Sequence, residues 1–278
     1  MIIKYPCAKI NLGLNIVSKR DDGYHNLETI FYPIPLYDKL EVNATDETFL
    51  DGKPYNLKKG GIIVDGNDDK NLVIKAYLAL RKKYNLQRVH INLHKDIPTG
   101  AGMGGGSSDC AFMINALNEE FNLNIPTQER EKMAAQLGAD CAFFINANPV
   151  YATGIGDIMQ PINISMKDYF IIIIKPNIHI STAEAFANIK PRIPQKSVKD
   201  IIMQPIETWR DELHNDFEES IFINHPEIKE IKDKLYSMGA IFALMSGSGS
   251  SVFGLFRECN DSIKEEFDNM FCEIKKMI

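Results

Sequence analysis

The chain has 278 residues, a formal net charge of −6, 45% hydrophobic residues and 24% charged residues. That length suits two modest domains or one large one with a sizeable core, and the composition is that of an ordinary globular protein. The acidic balance argues against bulk nucleic-acid or anionic-membrane binding while leaving room for a local basic pocket, and no apolar run reaches membrane-spanning length.

The first residues, Met1-Ile-Ile-Lys-Tyr-Pro, show no signal or transit pattern. Cys7, Cys110, Cys141, Cys259 and Cys272 are scattered and form no Cys-x-x-Cys pair. A reduced, cytoplasmic protein without a disulfide frame or cysteine zinc site is expected.

From Ala8 the sequence alternates strictly, with Ala8, Ile10, Leu12, Leu14 and Ile16 on one face and Lys9, Asn11, Gly13 and Asn15 on the other. Periodicity alone fits Lys9 and Asn11 to a solvated strand face as well as to a site. Asp21-Asp22-Gly23 is a turn signal, after which Leu27, Thr29 and Phe31 resume a strand. Tyr24-His25, at the turn's exit, suits stacking on and hydrogen-bonding a heterocycle, or decorates the turn. Asp38 to Asn43 reads as a strand, as does Ile62 to Val64, while Thr45 to Gly61 yields no functional signal. Asn71 is placed to cap a helix carrying Leu72, Val73, Ala76, Tyr77 and Leu80. Val89 to His94 alternate as a strand, so the helix-like spacing of His90 and His94 does not make a zinc site.

The stretch Pro98-Thr-Gly-Ala-Gly-Met-Gly-Gly-Gly-Ser-Ser108 follows. After it, Cys110, Ile114, Leu117 and Phe121 form one stripe of an amphipathic helix. A glycine-rich loop therefore opens a helix, where unpaired N–H groups and the helix dipole favour an anion. The dinucleotide fingerprint fits Gly100, Gly102 and Gly105 literally, but Lys95 to Thr99 separate the strand from the first glycine. A P-loop fits the spacing, but Gly106 stands where the phosphate-binding lysine belongs. A flexible linker does not usually lie between two well-patterned elements. A phosphate cradle is the reading that remains.

Pro126-Thr127 starts a helix that Gly138 ends. Asp140 then precedes an apolar run, Cys141 to Ile145, and fits a partly buried acid of perturbed pKa or a plain post-helix aspartate. Tyr169 to Lys175 is a strand, and Ser181-Thr-Ala-Glu184 is a capping box for a helix containing Phe186. Pro191 to Pro205 reads as a surface connection, and Pro226 to Met238 as a helix. Ala240–Met245 and Val252–Phe256 read as strands joined by Ser246-Gly-Ser-Gly-Ser-Ser251, with a last helix from about Asp261. That order suggests helices on one face of an antiparallel sheet. The Gly247/Gly249 turn fits an anion contact or only a turn.

Ala8-Lys-Ile-Asn-Leu12, Asp22-Gly-Tyr-His-Asn-Leu27, Pro98 to Ser108, Leu137-Gly-Ala-Asp140 and Ser246 to Phe253, taken together, resemble a GHMP-superfamily small-molecule kinase. More narrowly, Ala-Lys-Ile-Asn-Leu with Gly-Tyr-His resembles the branch acting on 4-(cytidine 5'-diphospho)-2-C-methyl-D-erythritol in the non-mevalonate isoprenoid route. The resemblance implies an α+β, two-domain fold. Residues 1–158 would form an N-terminal ATP-binding and catalytic domain of the ribosomal-S5-like domain 2 type, and residues 159–278 a C-terminal ferredoxin-like domain that closes over the substrate. It implies transfer from ATP, with Mg2+, to the substrate's C2 hydroxyl.

Lys9 and Asp140 would then be the catalytic pair, with Asp140 taking the hydroxyl proton and Lys9 keeping the carboxylate ionised and offsetting transition-state charge. Pro98, Thr99, Gly100, Ala101, Gly102, Met103, Gly104, Gly105, Gly106, Ser107 and Ser108 would cradle the ATP phosphates, the two serines near phosphate or magnesium. Tyr24 and Phe186 would sandwich the cytosine, His25 would read its edge, and Asn11 and Thr182 would line the substrate pocket. A small-molecule substrate, no nucleic-acid or membrane partner, and a monomer or homodimer are expected. Cys141-Ala142 replaces the family's usual Val-Pro, and Met103 stands where Leu is common. Tyr24-His25 weighs against a kinase for mevalonate or homoserine, and the acidic balance opposes a non-enzymatic binding module of the same N-terminal architecture.

Overall fold

The computed structural model describes residues 1–63, 66–259 and 261–278. Its strands in chain order are β1 (Ile2–Lys4), β2 (Cys7–Lys19), β3 (His25–Tyr37), β4 (Lys39–Thr45), β5 (Tyr55–Gly61), β6 (Arg88–Lys95), β7 (Val150–Thr153), β8 (Ile158–Pro161), β9 (Phe170–Lys175), β10 (Phe242–Met245), β11 (Val252–Phe256) and β12 (Phe271–Lys276). The chain forms two compact units. One comprises Met1–Ala8, Leu36–Thr99 and Gly104–Ala147; the other comprises Lys9–Pro35, Gly100–Met103 and Asn148–Ile278.

The first unit holds a sheet of order β1-β4-β6-β5, parallel only between β5 and β6. Asn71 caps α1 (Leu72–Tyr84) as its position suggests, its side chain accepting from the Val73 N–H at 2.9 Å. Of the stripe predicted after the glycine loop, Cys110, Ile114 and Leu117 lie fully buried on α2 (Gly105–Glu120), while Phe121 is its half-buried C-cap. Val73, Tyr77 and Leu80 of α1 are buried likewise, and each such side chain contributes roughly 1.5–3 kcal/mol on leaving water. A short helix, α3 (Thr127–Ala135), and a 3-10 turn (Ala142–Ile145) complete the unit.

The second unit holds two sheets. One has the order β2-β3-β7-β8. The other is fully antiparallel with the order β10-β11-β9-β12, the strand order of a ferredoxin-like βαββαβ fold when read from β12. Its connections carry α4 (Thr182–Phe186), α5 (Val198–Ile202), α6 (Trp209–Glu212), α7 (Phe217–Asn224) and α8 (Pro226–Ser237). The core joins Leu14 and Ile16 of β2 to Ile172 and Ile174 of β9, Ile221 of α7, and Ile228, Ile231 and Leu235 of α8. Ser181 caps α4 through the Glu184 N–H, but Glu184's own carboxylate pairs with His225 rather than reaching back.

Some local readings need correction. Residues 191–205 are more than a surface connection, because α5 lies within them and buries Val198, Ile201 and Ile202. Ser197 supplies its cap, a signal masked by the surrounding prolines and charges. The last helix is instead a 3-10 segment (Asp261–Phe267) followed by β12, which completes the sheet beside β9. The strand expected at Ile62 to Val64 is displaced to β5, and Val64 lies outside the described residues.

Candidate active site

Lys9 and Asn11 occupy the face of β2 that alternation marks as polar, yet they are only 4% and 1% exposed. A solvated face is thereby excluded, and a buried ammonium requires partners. Lys9 Nζ donates to Asn11 Oδ1 at 2.6 Å and to the Gly102 carbonyl at 2.9 Å, and it lies 5.1 Å from the Phe31 ring centroid. A cation is thus fixed against the backbone of the glycine loop.

Gly100, Gly102 and Gly104 have φ of 60°, 70° and 70°. At Gly102 the left-handed conformation coincides with close packing, since a β-carbon there would stand 1.9 Å from the Ser246 carbonyl oxygen. The Ser246 hydroxyl donates to the Gly102 carbonyl at 3.0 Å, and the Ser251 hydroxyl donates to the Ala101 carbonyl. Asn215 holds this serine-rich turn in place, its Nδ2 donating to the Met245 and Gly247 carbonyls, each at 2.8 Å. The second Gly/Ser stretch therefore braces the first. For Gly102→Ala we expect the Michaelis constant for ATP to rise, with a loss on the order of 1–3 kcal/mol in loop stability. Steady-state kinetics at varied ATP checks this; unchanged ATP dependence would contradict the brace.

Beyond the loop, Gly104 is the N-cap of α2, and the Ser108 N–H makes an intrahelical bond to the Gly104 carbonyl at 2.8 Å. The N–H groups of Gly105, Gly106 and Ser107 precede that bond, and no acid occupies the first turn. Such a helix N-terminus favours an anion. Beneath it lies a cation that sequence reasoning missed. Lys95 Nζ is 3.4 Å from where a Gly105 β-carbon would stand, and it contacts the carboxylates of Asp38 and of Asp109, the latter at 2.5 Å. Asp38 also accepts from the N–H groups of Asp96 and Ile97 at 2.7 and 2.9 Å. Burial pushes the Asp109 carboxyl up to about 7, with Lys95 opposing and Asp38 reinforcing the shift. Asp109 Oδ1 and Ser108 Oγ are buried without a hydrogen-bond partner. A cavity of about 220 Å³ in the same unit is lined by Asn71, Leu72, Leu93, Thr99, Gly106 and Asp109, among others.

Asp140 is half-buried in the turn after α3, where the Cys141 N–H bonds the Gly138 carbonyl at 3.1 Å. The helix stops at Ala135, a turn earlier than Gly138 suggests. Cys141, the departure from Val-Pro, is fully buried, and its thiol is hydrogen-bonded to Cys110 and Ser107. Those contacts, Cys110's the larger, pull the thiol below its usual range. A small apolar site is filled by a residue of similar bulk.

Tyr24 is 62% exposed at the β2–β3 turn, and Thr182 is exposed at the first position of α4. His25 and Phe186 are brought together, their rings stacked with centroids 4.9 Å apart and planes 22° from parallel. Phe186 also meets Phe217 edge-on at 4.8 Å. The imidazole thus covers one face of the ring expected to stack on a base. Asn11 faces Lys9 and Thr29 with its polar atoms, so its first duty is to hold the lysine.

Two family models match the chain, GHMP kinases N terminal domain over residues 71–148 and GHMP kinases C terminal over residues 197–271. A 4-diphosphocytidyl-2-C-methyl-D-erythritol kinase of Bacteroides fragilis is 51% identical over 271 residues, covering 98% of each chain. A protein of that same name from Bacteroides thetaiotaomicron is 52% identical over 272 residues, again with 98% of each covered. The chain belongs to the GHMP kinases. Among solved structures, a 4-(cytidine 5'-diphospho)-2C-methyl-D-erythritol kinase superposes with a TM-score of 0.82 at 28% identity, covering 98% of each chain. A homoserine kinase from Cytophaga hutchinsonii, at 15% identity and a TM-score of 0.67, shares the fold, with 98% of this chain and 92% of that one covered. As a GHMP kinase the chain carries Lys9, Tyr24 and His25 ahead of both matched segments, on a stretch that the full-length relatives cover.

Proposed function

We propose that the chain transfers the γ-phosphoryl group of ATP to the C2 hydroxyl of 4-(cytidine 5'-diphospho)-2-C-methyl-D-erythritol, giving the 2-phosphate and ADP. The observation that carries this reading is the buried Lys9 ammonium held against Gly102, in a loop that runs directly into the open N-terminus of α2. Phosphoryl transfer asks a protein mainly for positioning and charge neutralisation, and these parts supply both. The N–H groups of Gly105, Gly106 and Ser107 take the phosphates. The unpartnered Ser108 hydroxyl fits a ligand role toward the triphosphate or its magnesium ion, whose chemistry is to neutralise the phosphate oxygens. The cavity walled by Leu72 and Leu93, with the Asn71 amide at its edge, suits an adenine. Asp140 takes the proton of the attacking hydroxyl, and Lys9 offsets the charge that develops.

On the acceptor side, Tyr24 and Phe186 flank the cytosine. A base stacking on the covered face of Phe186 displaces the His25 ring, which then meets the base's edge. Thr182 lies one residue past the Ser181 cap, at the end of α4 opposite Phe186. The discriminating experiment is an ADP-release assay with the cytidyl diphosphate alcohol, mevalonate and homoserine as acceptors. Turnover of the first alone is expected; preference for either other alcohol overturns the assignment. Phe186→Ala is expected to raise the Michaelis constant for the cytidyl substrate roughly tenfold, the worth of about one aromatic stack. An unchanged constant removes Phe186 from the pocket.

A further inference from the structure

Lys9 ends a chain of hydrogen bonds whose direction is fixed at both ends, by the ammonium that can only donate and by a hydroxyl at the far end. The Thr29 hydroxyl, fully buried on β3, donates to the Gly13 carbonyl, and its oxygen accepts from Asn11 Nδ2 at 2.9 Å. A hydroxyl has a single proton to give. With that proton committed to Gly13, Thr29 meets Asn11 only as an acceptor, so the amide NH2 must face Thr29. Asn11 Oδ1 is thereby turned toward Lys9 Nζ, 2.6 Å away. Amide orientation is set by such networks rather than by shape, since the two ends of an asparagine side chain are nearly the same size.

The anchor is itself unusual. Gly13 has a φ of +77° inside strand β2, and a β-carbon there would stand 2.5 Å from Leu213 Cδ1. A side chain there would be strained by the backbone and would have to displace Leu213, which favours glycine at the residue whose carbonyl receives Thr29. Resting on the reading of Lys9 as the cation of the transfer, we propose that Thr29 is a positioning residue for the phosphoryl transfer. Through the Asn11 amide it aims an acceptor at Lys9 and so holds the ammonium on the Gly102 carbonyl.

Without the hydroxyl, the buried Asn11 NH2 loses its partner, and the amide is then held by Lys9 from one side only and loses the second contact that fixes its position. For Thr29→Val, nearly identical in shape, a fall in kcat of roughly 10- to 100-fold is expected, with both Michaelis constants within about twofold of wild type. Thr29→Ser restores the hydroxyl and is expected to recover most of the loss. A merely structural role predicts a lowered melting temperature with kcat intact. The proposal falls if Thr29→Val keeps kcat within about twofold of wild type, or if folded Thr29→Ser does not recover it. Should Thr29→Val not fold, Thr29→Ala, which adds no bulk, reads the same quantity. Lys9→Ala is measured alongside. If it leaves kcat unchanged, the role of Lys9 falls and the positioning role with it; if it abolishes turnover while Thr29→Val does not affect kcat, only the positioning role falls.

Discussion

Asp140→Asn is expected to lower kcat by about 10³-fold while leaving ATP affinity within about twofold of wild type. The substitution keeps the size of the side chain at the turn after α3 and removes only the oxygen that accepts a proton. Asparagine cannot take the hydroxyl proton, so the attacking oxygen must lose it to water in a site arranged for a carboxylate. The helix N-terminus proposed to seat the phosphates stands on other residues, Gly104 to Ser108, whose side chains the change leaves as they are. Turnover numbers and calorimetric ATP binding together provide the test. Undiminished turnover would remove Asp140 as the base, and lost ATP binding would assign it to the nucleotide instead.

Lys95→Met should cost about 3–5 kcal/mol of stability, because it leaves the Asp38 and Asp109 carboxylates buried together without their shared cation. Denaturant unfolding of the variant at neutral pH measures this, and wild-type stability there would show the triad to be dispensable. Asp109 adds a pH dependence whose sign follows from its raised carboxyl. Between 3.8, its ordinary value, and about 7, the native state keeps a proton that the unfolded chain has released. The unfolded state then binds fewer protons than the native state, so this group's contribution to stability declines as pH climbs through that window. Unfolding of wild type and Asp109→Asn at pH 5, 6 and 7 should show a slope in the first that is flattened in the second.

How far the site can be read from sequence follows the range of the contacts that build it. The candidate anion seat is local: three glycines before the helix and two opening it determine where free N–H groups gather, and periodicity alone locates both flanks. Lys9 is legible as to strand and face but not as to burial, because its partners come from Gly102 and Phe31, far along the chain. Asn11 illustrates the same limit. Alternation puts it beside Lys9, yet only the fold shows that its amide is spent on Lys9 and Thr29. Lys95 closes a strand whose pattern it merely continues, and only the approach of Asp38 and Asp109 gives it a function. The misread C-terminal end has a comparable cause. Residues 261–267 mix charges with apolar side chains as a helix does, while β12 gains its strand identity from antiparallel pairing with β9, about a hundred residues earlier in the chain, rather than from any strict alternation.

The hydroxyl of Ser246 reaches a carbonyl 144 positions earlier in the chain, and this has a bearing on synthesis. During translation at about 5–20 residues per second, Gly102 emerges roughly 7–30 seconds before the serine that grips it. Through that interval the nascent glycine loop has its residues but no brace, and contacts of such long sequence separation are among the slowest to close. Catalytic competence therefore arrives with the final eighth of the polypeptide: a ribosome stalled before residue 246 holds a loop that has the right sequence and not yet the right shape.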